Sequence, residues 1–223
     1  MSGSAGLFAA SPPVPPGVAL RPLEGAALRA ALPDLARLRI AVFREWPYLY
    51  DGDARYEERY LAALADAPDA VIVGAFAGPD GETGDPGRMV GAATALPLAH
   101  ADPAFRAAFE AAGHDPARWY YLAESVLDPR HRGRGIGVAF FAARERAGSE
   151  AGYDRFAFCA VERSERERRR QAAHSSAPLP APLEGFWRRR GYAPTERLAR
   201  YAWREVGAHY ETEHVMRFWE KQA

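Results

Sequence analysis

Short apolar runs and amphipathic stretches alternate along the chain from residue 18 onward, and each type predicts a different element. We expect strands at 18–20, 71–76, 89–98, 119–127, 155–161, 196–203 and 213–219. We expect helices from about Pro33 to the break at Trp46, and then at 53–64, 103–113, 135–147 and 184–190. Loops are expected at 78–87, as a hairpin connection, and at 162–183, which is first charged and then proline-rich. The order predicts an α/β layer architecture with mixed strand directions, including one right-handed βαβ unit over 119–161.

Length and local composition indicate one domain. The chain has 223 residues, which suits a single globular domain and is short for two. Serine, alanine, glycine and proline dominate residues 1–17, so we expect a disordered N-terminal tail there. Residues 18–223 are then expected to form the single domain.

The charge balance narrows the class of partner. Lysine plus arginine number 29 and aspartate plus glutamate number 29, so the formal net charge is zero. This balance argues against a protein whose main role is to coat nucleic acid or an anionic membrane. No apolar run approaches the roughly 20 residues that a membrane helix needs, and the N-terminus does not resemble a signal peptide. We therefore expect a cytoplasmic protein, with neither nucleic acid nor membrane as its partner.

The segment VLDPRHRGRGIG, residues 126–137, carries the clearest chemical signal. It leaves a predicted strand and enters a predicted helix, with glycines that let a bound group approach the backbone and a helix start that offers free N–H groups. Such a turn favours an anion, most naturally a phosphate or pyrophosphate. Positive charge is added by Arg130, Arg132 and Arg134. No Gly-Lys-Ser/Thr is present for a Walker A loop, and Val138 stands where a dinucleotide fingerprint would need its last glycine.

The same turn fits the Arg/Gln-x-x-Gly-x-Gly/Ala signature of the GNAT acyltransferases, read as Arg132-x-x-Gly135-x-Gly137. The strand ending in VLDP, the later run FWRRRGY at 186–192 and the order of elements resemble the same superfamily over about 18–220. The resemblance implies a mixed, mostly antiparallel central sheet with helices on both faces. It also implies transfer of an acetyl group from acetyl-CoA to a primary amine of a small molecule, by direct attack in a ternary complex. A peptide or protein acceptor, and a non-catalytic acyl-CoA-binding module, remain alternatives.

The resemblance also implies where acetyl-CoA would bind. Its pyrophosphate would lie on the backbone N–H groups of the turn: Arg132, Gly133, Arg134, Gly135, Ile136 and Gly137. Its pantetheine arm would pair with the main chain of the preceding strand at Ser125, Val126 and Leu127. The thioester would then reach a divergence between this strand and the strand at 155–161.

Two residues are the catalytic candidates. Glu124 lies eight residues before Arg132, on a strand where many members of the family carry an acidic residue. Among Tyr120, Tyr121 and Leu122 it would be partly desolvated, which raises the pKa of a carboxyl group and suits a general base; a structural ion pair is the alternative. Trp187 stands where the family often has a tyrosine that acts as the general acid, and indole cannot give up a proton. Either the thiolate leaves without assistance, or Tyr192 or another tyrosine is the substitute general acid.

The acceptor is expected to bind at the loop between the first two helices. Trp46, Tyr48 and Tyr50 lie there beside an acidic residue, and aromatic faces and carboxylates both favour a cation. The alternative is that these aromatic residues only pack the two helices together. A small-molecule amine is the expected partner, and a homodimer is left open.

The remaining polar signals have plain interpretations. The single cysteine, Cys159, lies on an apolar predicted strand with no histidine nearby, which favours a buried thiol over a covalent acyl-cysteine. The six histidines show no HExxH-type spacing, so no metal is expected. The arginine-rich run at 163–170 is interpreted as a solvated loop, with a contact to the CoA 3′-phosphate or to an anionic acceptor as the alternative.

Overall fold

The structure is a computed structural model that describes residues 14–78 and 87–222. Most of the predicted N-terminal tail (1–13) and most of the predicted hairpin loop (79–86) lie outside the described residues, as does residue 223. In the described part of the chain, seven strands form one open sheet in the order β1-β2-β3-β4-β5-β7-β6. These strands are β1 (Val18–Pro22), β2 (Val71–Ala77), β3 (Arg88–Pro97), β4 (Tyr120–Leu127), β5 (Arg155–Val161), β6 (Ala193–Arg204) and β7 (Glu211–Gln222).

Neighbouring strands are antiparallel except for β4 and β5, which are parallel. A helix connects these two strands, as a parallel connection requires. The helices of the described residues are α1 (Gly25–Phe43), α2 (Ala54–Ala65), α3 (Pro103–Glu110), α4 (Ile136–Glu150), α5 (Glu165–His174) and α6 (Glu184–Arg188). The predicted βαβ unit is therefore β4-α4-β5.

Helices cover both faces of the sheet. Ile72 packs in a cluster with Leu35 of α1 and Leu61 of α2. The next residue, Val73, packs instead with Phe140 of α4. Because successive side chains of a strand point to opposite faces, α1 and α2 lie on one face and α4 on the other. The mixed, mostly antiparallel sheet with helices on both faces is confirmed.

The predicted start of the first helix and the predicted loop at 162–183 were wrong. The first helix begins at Gly25, and Pro33 lies inside it rather than in its first turn. Residues 165–174 form α5, although the whole of 162–183 was expected to be a loop. The sequence of this helix, ERERRRQAAH, has no apolar periodicity, and accordingly none of its residues is buried. It is started by a capping box in which Ser164 and Glu167 bond to each other's backbone N–H groups, a signal that the sequence does contain.

Candidate active site

A bulge in β4 decides which of its side chains face α1 and α2. Glu124 is opposite Thr94 of β3, and Tyr121 is opposite Leu96, so β4 has one more residue than β3 in this interval. Ala123 and Glu124 therefore both line the same cavity, although they are consecutive in the chain. In a regular strand one of the two would point to the opposite face.

Arg144 of α4 holds this bulge from the opposite face of the sheet. Its Nη1 atom donates to the carbonyl oxygens of Glu124 (2.9 Å) and Thr94 (3.3 Å), and its Nη2 atom donates to Ser125 Oγ (2.8 Å). The side chain is almost completely buried, and burial lowers the pKa of its guanidinium to about 10. Sequence reasoning missed this residue. Its position four residues after Phe140, on the apolar side of the helix, was the available signal.

β4 and β5 separate after two residue pairs. They are paired at Tyr120–Phe156 and Tyr121–Ala157, and no further pair joins them within the described residues. The predicted divergence is confirmed. It leaves one edge of β4 without a strand partner at Ser125, Val126 and Leu127, whose other edge pairs with β3. At this edge the Leu127 carbonyl accepts a hydrogen bond from Arg132 Nε at 3.2 Å. An open strand edge offers backbone N–H and C=O groups to an extended ligand.

The glycine-rich turn forms the start of α4 beside this open edge. Gly133 and Gly135 have φ angles of 74° and 88°, a left-handed conformation that favours glycine. The first bond of α4 runs from the Ala139 N–H to the Gly135 carbonyl, so the N–H groups of Ile136, Gly137 and Val138 have no acceptor within the helix. In the described structure no side chain caps this helix start. A Cβ atom added at Gly133 would meet nothing within 4 Å. The turn is thus open and fits a phosphate group.

Two of the three arginines near this turn already have carboxylate partners. Arg130 donates to Asp128 at 2.8 and 3.2 Å, and these hydrogen bonds lower the pKa of the Asp128 carboxyl group. Arg132 forms an ion pair with Glu45, just after α1, at 2.9 Å. Arg134 is exposed, and among the described residues it has no ion-pair partner. Positive charge for an anion is therefore supplied mainly by Arg134 and the helix start.

A cavity of about 740 Å³ opens on the α1–α2 side of the sheet. Nine of its 20 lining residues are aromatic: Phe43, Tyr48, Tyr50, Tyr56, Tyr60, Phe105, Tyr121, Tyr201 and Trp203. Its acidic lining residues are Asp51, Asp53, Glu124 and Glu211, and its arginines are Arg39 and Arg204. Arg204 is paired with Asp51 at 2.8 Å. A wall of aromatic rings and carboxylates favours a cationic ligand.

Arg39 of α1 forms ion pairs with Glu57 of α2 and with Glu124. Its guanidinium carbon lies 4.6 Å from the ring centre of Tyr60 and 5.3 Å from that of Phe43. The candidate base thus forms an ion pair with a buried arginine, which is the alternative to a base role that the sequence left open. An arginine neighbour favours the ionised form of a carboxyl group.

The profile of the acetyltransferase (GNAT) family matches residues 35–173 of the chain, which include the bulged strand, the divergence and the glycine-rich turn. The chain belongs to the GNAT acetyltransferase family. A search of the curated proteins found no match.

Solved structures show the same GNAT fold. An acetyltransferase from Streptococcus agalactiae is 14% identical with a TM-score of 0.56, and the match covers 93% of this chain and 99% of that one. A proposed GNAT-family acetyltransferase from Desulfovibrio desulfuricans is 16% identical with a TM-score of 0.53, covering 92% and 98%. A proposed acetyltransferase from Salmonella typhimurium, solved with its cofactor acetyl-CoA, is 11% identical with a TM-score of 0.51, covering 92% and 94%. At identities this low, the structural matches show the fold that the chains share and do not identify the acceptor.

The structure brings two of the three predicted acceptor residues of this GNAT domain to the cavity. Tyr48 and Tyr50 line it, and the loop that carries them is fixed by backbone bonds to the end of β6, such as the Asp51 N–H to the Arg204 carbonyl at 2.9 Å. Trp46 does not line the cavity. Its ring is buried and packs 5.5 Å from the guanidinium of Arg163. Of the three predicted acceptor residues, Tyr48 and Tyr50 therefore reach the cavity, and Trp46 lies outside its lining.

Tyr192 lies away from the cavity. It is buried with Phe141 and Phe158 in the cluster that contacts α4, and its hydroxyl donates to Glu145 Oε1 at 2.9 Å. Burial, followed by the Glu145 carboxylate, raises the pKa of this hydroxyl far above its usual range. Its hydroxyl proton is thus hydrogen-bonded on the opposite face of the sheet, which argues against the general-acid role predicted for Tyr192. Trp187 packs in the same cluster.

Replacing Tyr192 with phenylalanine should therefore leave catalysis nearly unchanged. The variant loses the hydrogen bond to Glu145, which keeps Lys221 as a partner at 2.9 Å, so the free energy of unfolding should fall by about 1 kcal/mol. Urea unfolding and the pH dependence of kcat would measure the two effects. An alkaline fall in the wild-type rate that disappears in Tyr192→Phe would reinstate this tyrosine as the acid.

Cys159 is buried, as predicted, and it also lines the cavity. The Tyr121 hydroxyl lies 3.0 Å from its Sγ atom, and burial raises the pKa of the thiol to about 12. A thiol that stays protonated is a poor nucleophile, which disfavours an acyl-cysteine route. In the part of the chain that the structure describes, no group of three or more acidic, histidine or cysteine side chains could hold a metal ion, and no helix is long and apolar enough to cross a membrane.

Proposed function

We propose that this chain transfers the acetyl group of acetyl-CoA to a primary amine of a small, cationic and partly apolar molecule. The observation that carries the proposal is the position of Glu124. The β4 bulge places its carboxylate in an aromatic cavity, beside the strand edge that the β4–β5 divergence leaves open. A carboxylate at that place can take the proton of an acceptor amine.

The residues along the open edge fit acetyl-CoA. The backbone N–H groups from Arg132 to Gly137 would hold its pyrophosphate, aided by the charge of Arg134. The main chain of β4 from Ser125 to Leu127 would pair with its pantetheine arm, as an added strand does. Acetyl-CoA supplies the thioester, which is the activated acyl group of the reaction.

The cavity suits a cationic acceptor, because its lining combines aromatic rings with the exposed carboxylates of Asp53 and Glu211. The acceptor enters as an ammonium ion and must lose a proton before its nitrogen can attack. Glu124 accepts that proton and passes it to solvent. A new C–N bond then forms as the C–S bond breaks, and the second nitrogen proton accounts for the protonation of the departing CoA thiolate. The products are the acetylated amine and CoA.

Release of free CoA over a panel of acceptors tests the proposal. The panel pairs aromatic and aliphatic primary amines with their trimethylammonium analogues, which keep the charge and lack a transferable proton. We expect steady release with primary amines and competitive inhibition by the analogues. Release with lysine-containing peptides alone would assign a peptide acceptor. Binding of acetyl-CoA with no release of free CoA in the presence of any amine would contradict the proposal and indicate a binding module.

A further inference from the structure

Arg39 connects the candidate base, Glu124, to a second carboxylate, that of Glu57, which does not line the cavity. Its Nε atom donates to Glu57 Oε2, and its Nη1 atom forms an ion pair with Glu124 Oε2. Glu57 is 0% exposed and Arg39 is 6% exposed, so bulk water screens neither charge. One buried guanidinium is therefore shared between two carboxylates, of which Glu124 lines the cavity.

Four titratable groups packed around this cluster are uncharged near neutral pH. Burial raises the pKa of each of the following: Tyr50 of the α1–α2 loop, Tyr60 of α2, Tyr121 of β4 and Cys159 of β5. Arg144 approaches from α4 on the opposite face and binds the backbone carbonyl of Glu124. The charged groups that contact the Glu124 side chain, directly or through the shared guanidinium, are thus Arg39 and Glu57. The other charged residues of the cavity lining are Asp51, Asp53, Glu211 and Arg204.

The second carboxylate has a chemical consequence. A carboxylate that faces an unshared arginine is stabilised in its charged form and loses affinity for protons. Such a group is a weak base toward an ammonium ion. A second carboxylate on the same guanidinium offsets part of its positive charge, so the first carboxylate keeps more of its affinity for protons. The two carboxylates also hold the planar guanidinium in one orientation.

We propose that Glu57 is a positioning residue that acts through Arg39 to set the orientation and the proton affinity of Glu124. The inference rests on the proposed function, in which Glu124 takes the proton of the acceptor amine. Glu57 itself is buried on α2 and does not line the cavity. Its effect on the reaction is therefore indirect, through the shared arginine.

Direct titration of Glu124 tests this proposal. Protein labelled with ¹³C at the glutamate Cδ atoms would be followed by NMR, and the Glu124 signal assigned by its loss in Glu124→Gln. Glu57→Gln leaves Arg39 unshared, so the titration midpoint of Glu124 should fall by roughly one pH unit. The double variant Arg39→Gln/Glu57→Gln removes both charges together, and the midpoint should rise above that of the wild type. The matched control Glu58→Gln, one residue along the same helix, should leave it unchanged.

Opposite shifts in the two variants support the proposal, and shifts in one direction or no shift overturn it. If Glu57→Gln does not fold, the double variant decides, because an unchanged midpoint there removes the role of the pair. The titration needs neither acetyl-CoA nor an acceptor, so its outcome is separate from that of the CoA-release assay. With an acceptor in hand, the acid limb of kcat/KM in Glu57→Gln should move to lower pH by about the same amount, a roughly tenfold change in proton affinity.

Discussion

Replacing Gly135 with valine is expected to abolish the binding of acetyl-CoA. Gly135 has a φ angle of 88° immediately before the first residue of α4, where a β-branched side chain is strained and would occupy the approach to the N–H groups. Wild-type protein should gain about 2.7 kcal/mol of unfolding free energy at a hundredfold excess of acetyl-CoA over Kd, and the variant should gain none. Denaturant unfolding with and without acetyl-CoA measures this gain.

The chain offers a matched control at the other end of the same helix. Gly152 follows α4 with a φ angle of 91°, and a Cβ atom added there would meet nothing within 4 Å. Gly152→Val therefore carries a similar backbone cost, about 1–3 kcal/mol, away from the turn. It should lose stability and still gain the full 2.7 kcal/mol or so from acetyl-CoA. A normal gain in Gly135→Val would show that the phosphate site lies elsewhere.

The parts of the site that could be predicted from sequence are those set by local geometry. The turn from Arg132 to Gly137 is one continuous segment, and its glycines report the backbone conformation that the structure shows at Gly135. The divergence of β4 and β5 was expected from the resemblance to the GNAT family. The same resemblance pointed to Glu124, because many members of the family carry an acidic residue at this place on the strand before the turn.

The parts that could not be predicted depend on contacts between distant segments. Arg39 and Glu57 lie on different helices, and nothing in either helix alone says that their side chains meet at Glu124. The same limit applies to Tyr192, whose partner Glu145 lies on α4. Trp46 and Tyr48 are two residues apart on one loop, yet Trp46 packs against Arg163, 117 residues later in the chain, whereas Tyr48 lines the cavity. The sequence predicts which residue types are available, and packing decides which of them reach the cavity.

Replacing Glu124 with glutamine is expected to lower kcat/KM by about 10²-fold or more, because the amide keeps the shape of the side chain and removes the base. Arg39 keeps its ion pair with Glu57, so the substitution leaves no uncompensated charge in the interior and the variant should fold. Affinity for acetyl-CoA should stay within a few-fold, since the turn and the strand edge are intact. The pH dependence of kcat/KM and a direct measurement of acetyl-CoA binding check the two parts of this prediction.

Glu211 provides the comparison that separates general acid–base chemistry from charge in the cavity. It is a second glutamate of the lining, exposed at the start of β7, and it forms no ion pair among the described residues. Glu211→Gln removes the same charge from the rim, so it should raise KM for a cationic acceptor modestly and leave kcat and the acid limb in place. Glu124→Gln should instead lower kcat and remove the acid limb, because that limb reports the protonation of the base. Equal effects of the two substitutions would mean that the cavity needs only negative charge, and an acid limb that persists in Glu124→Gln would assign the base to another group.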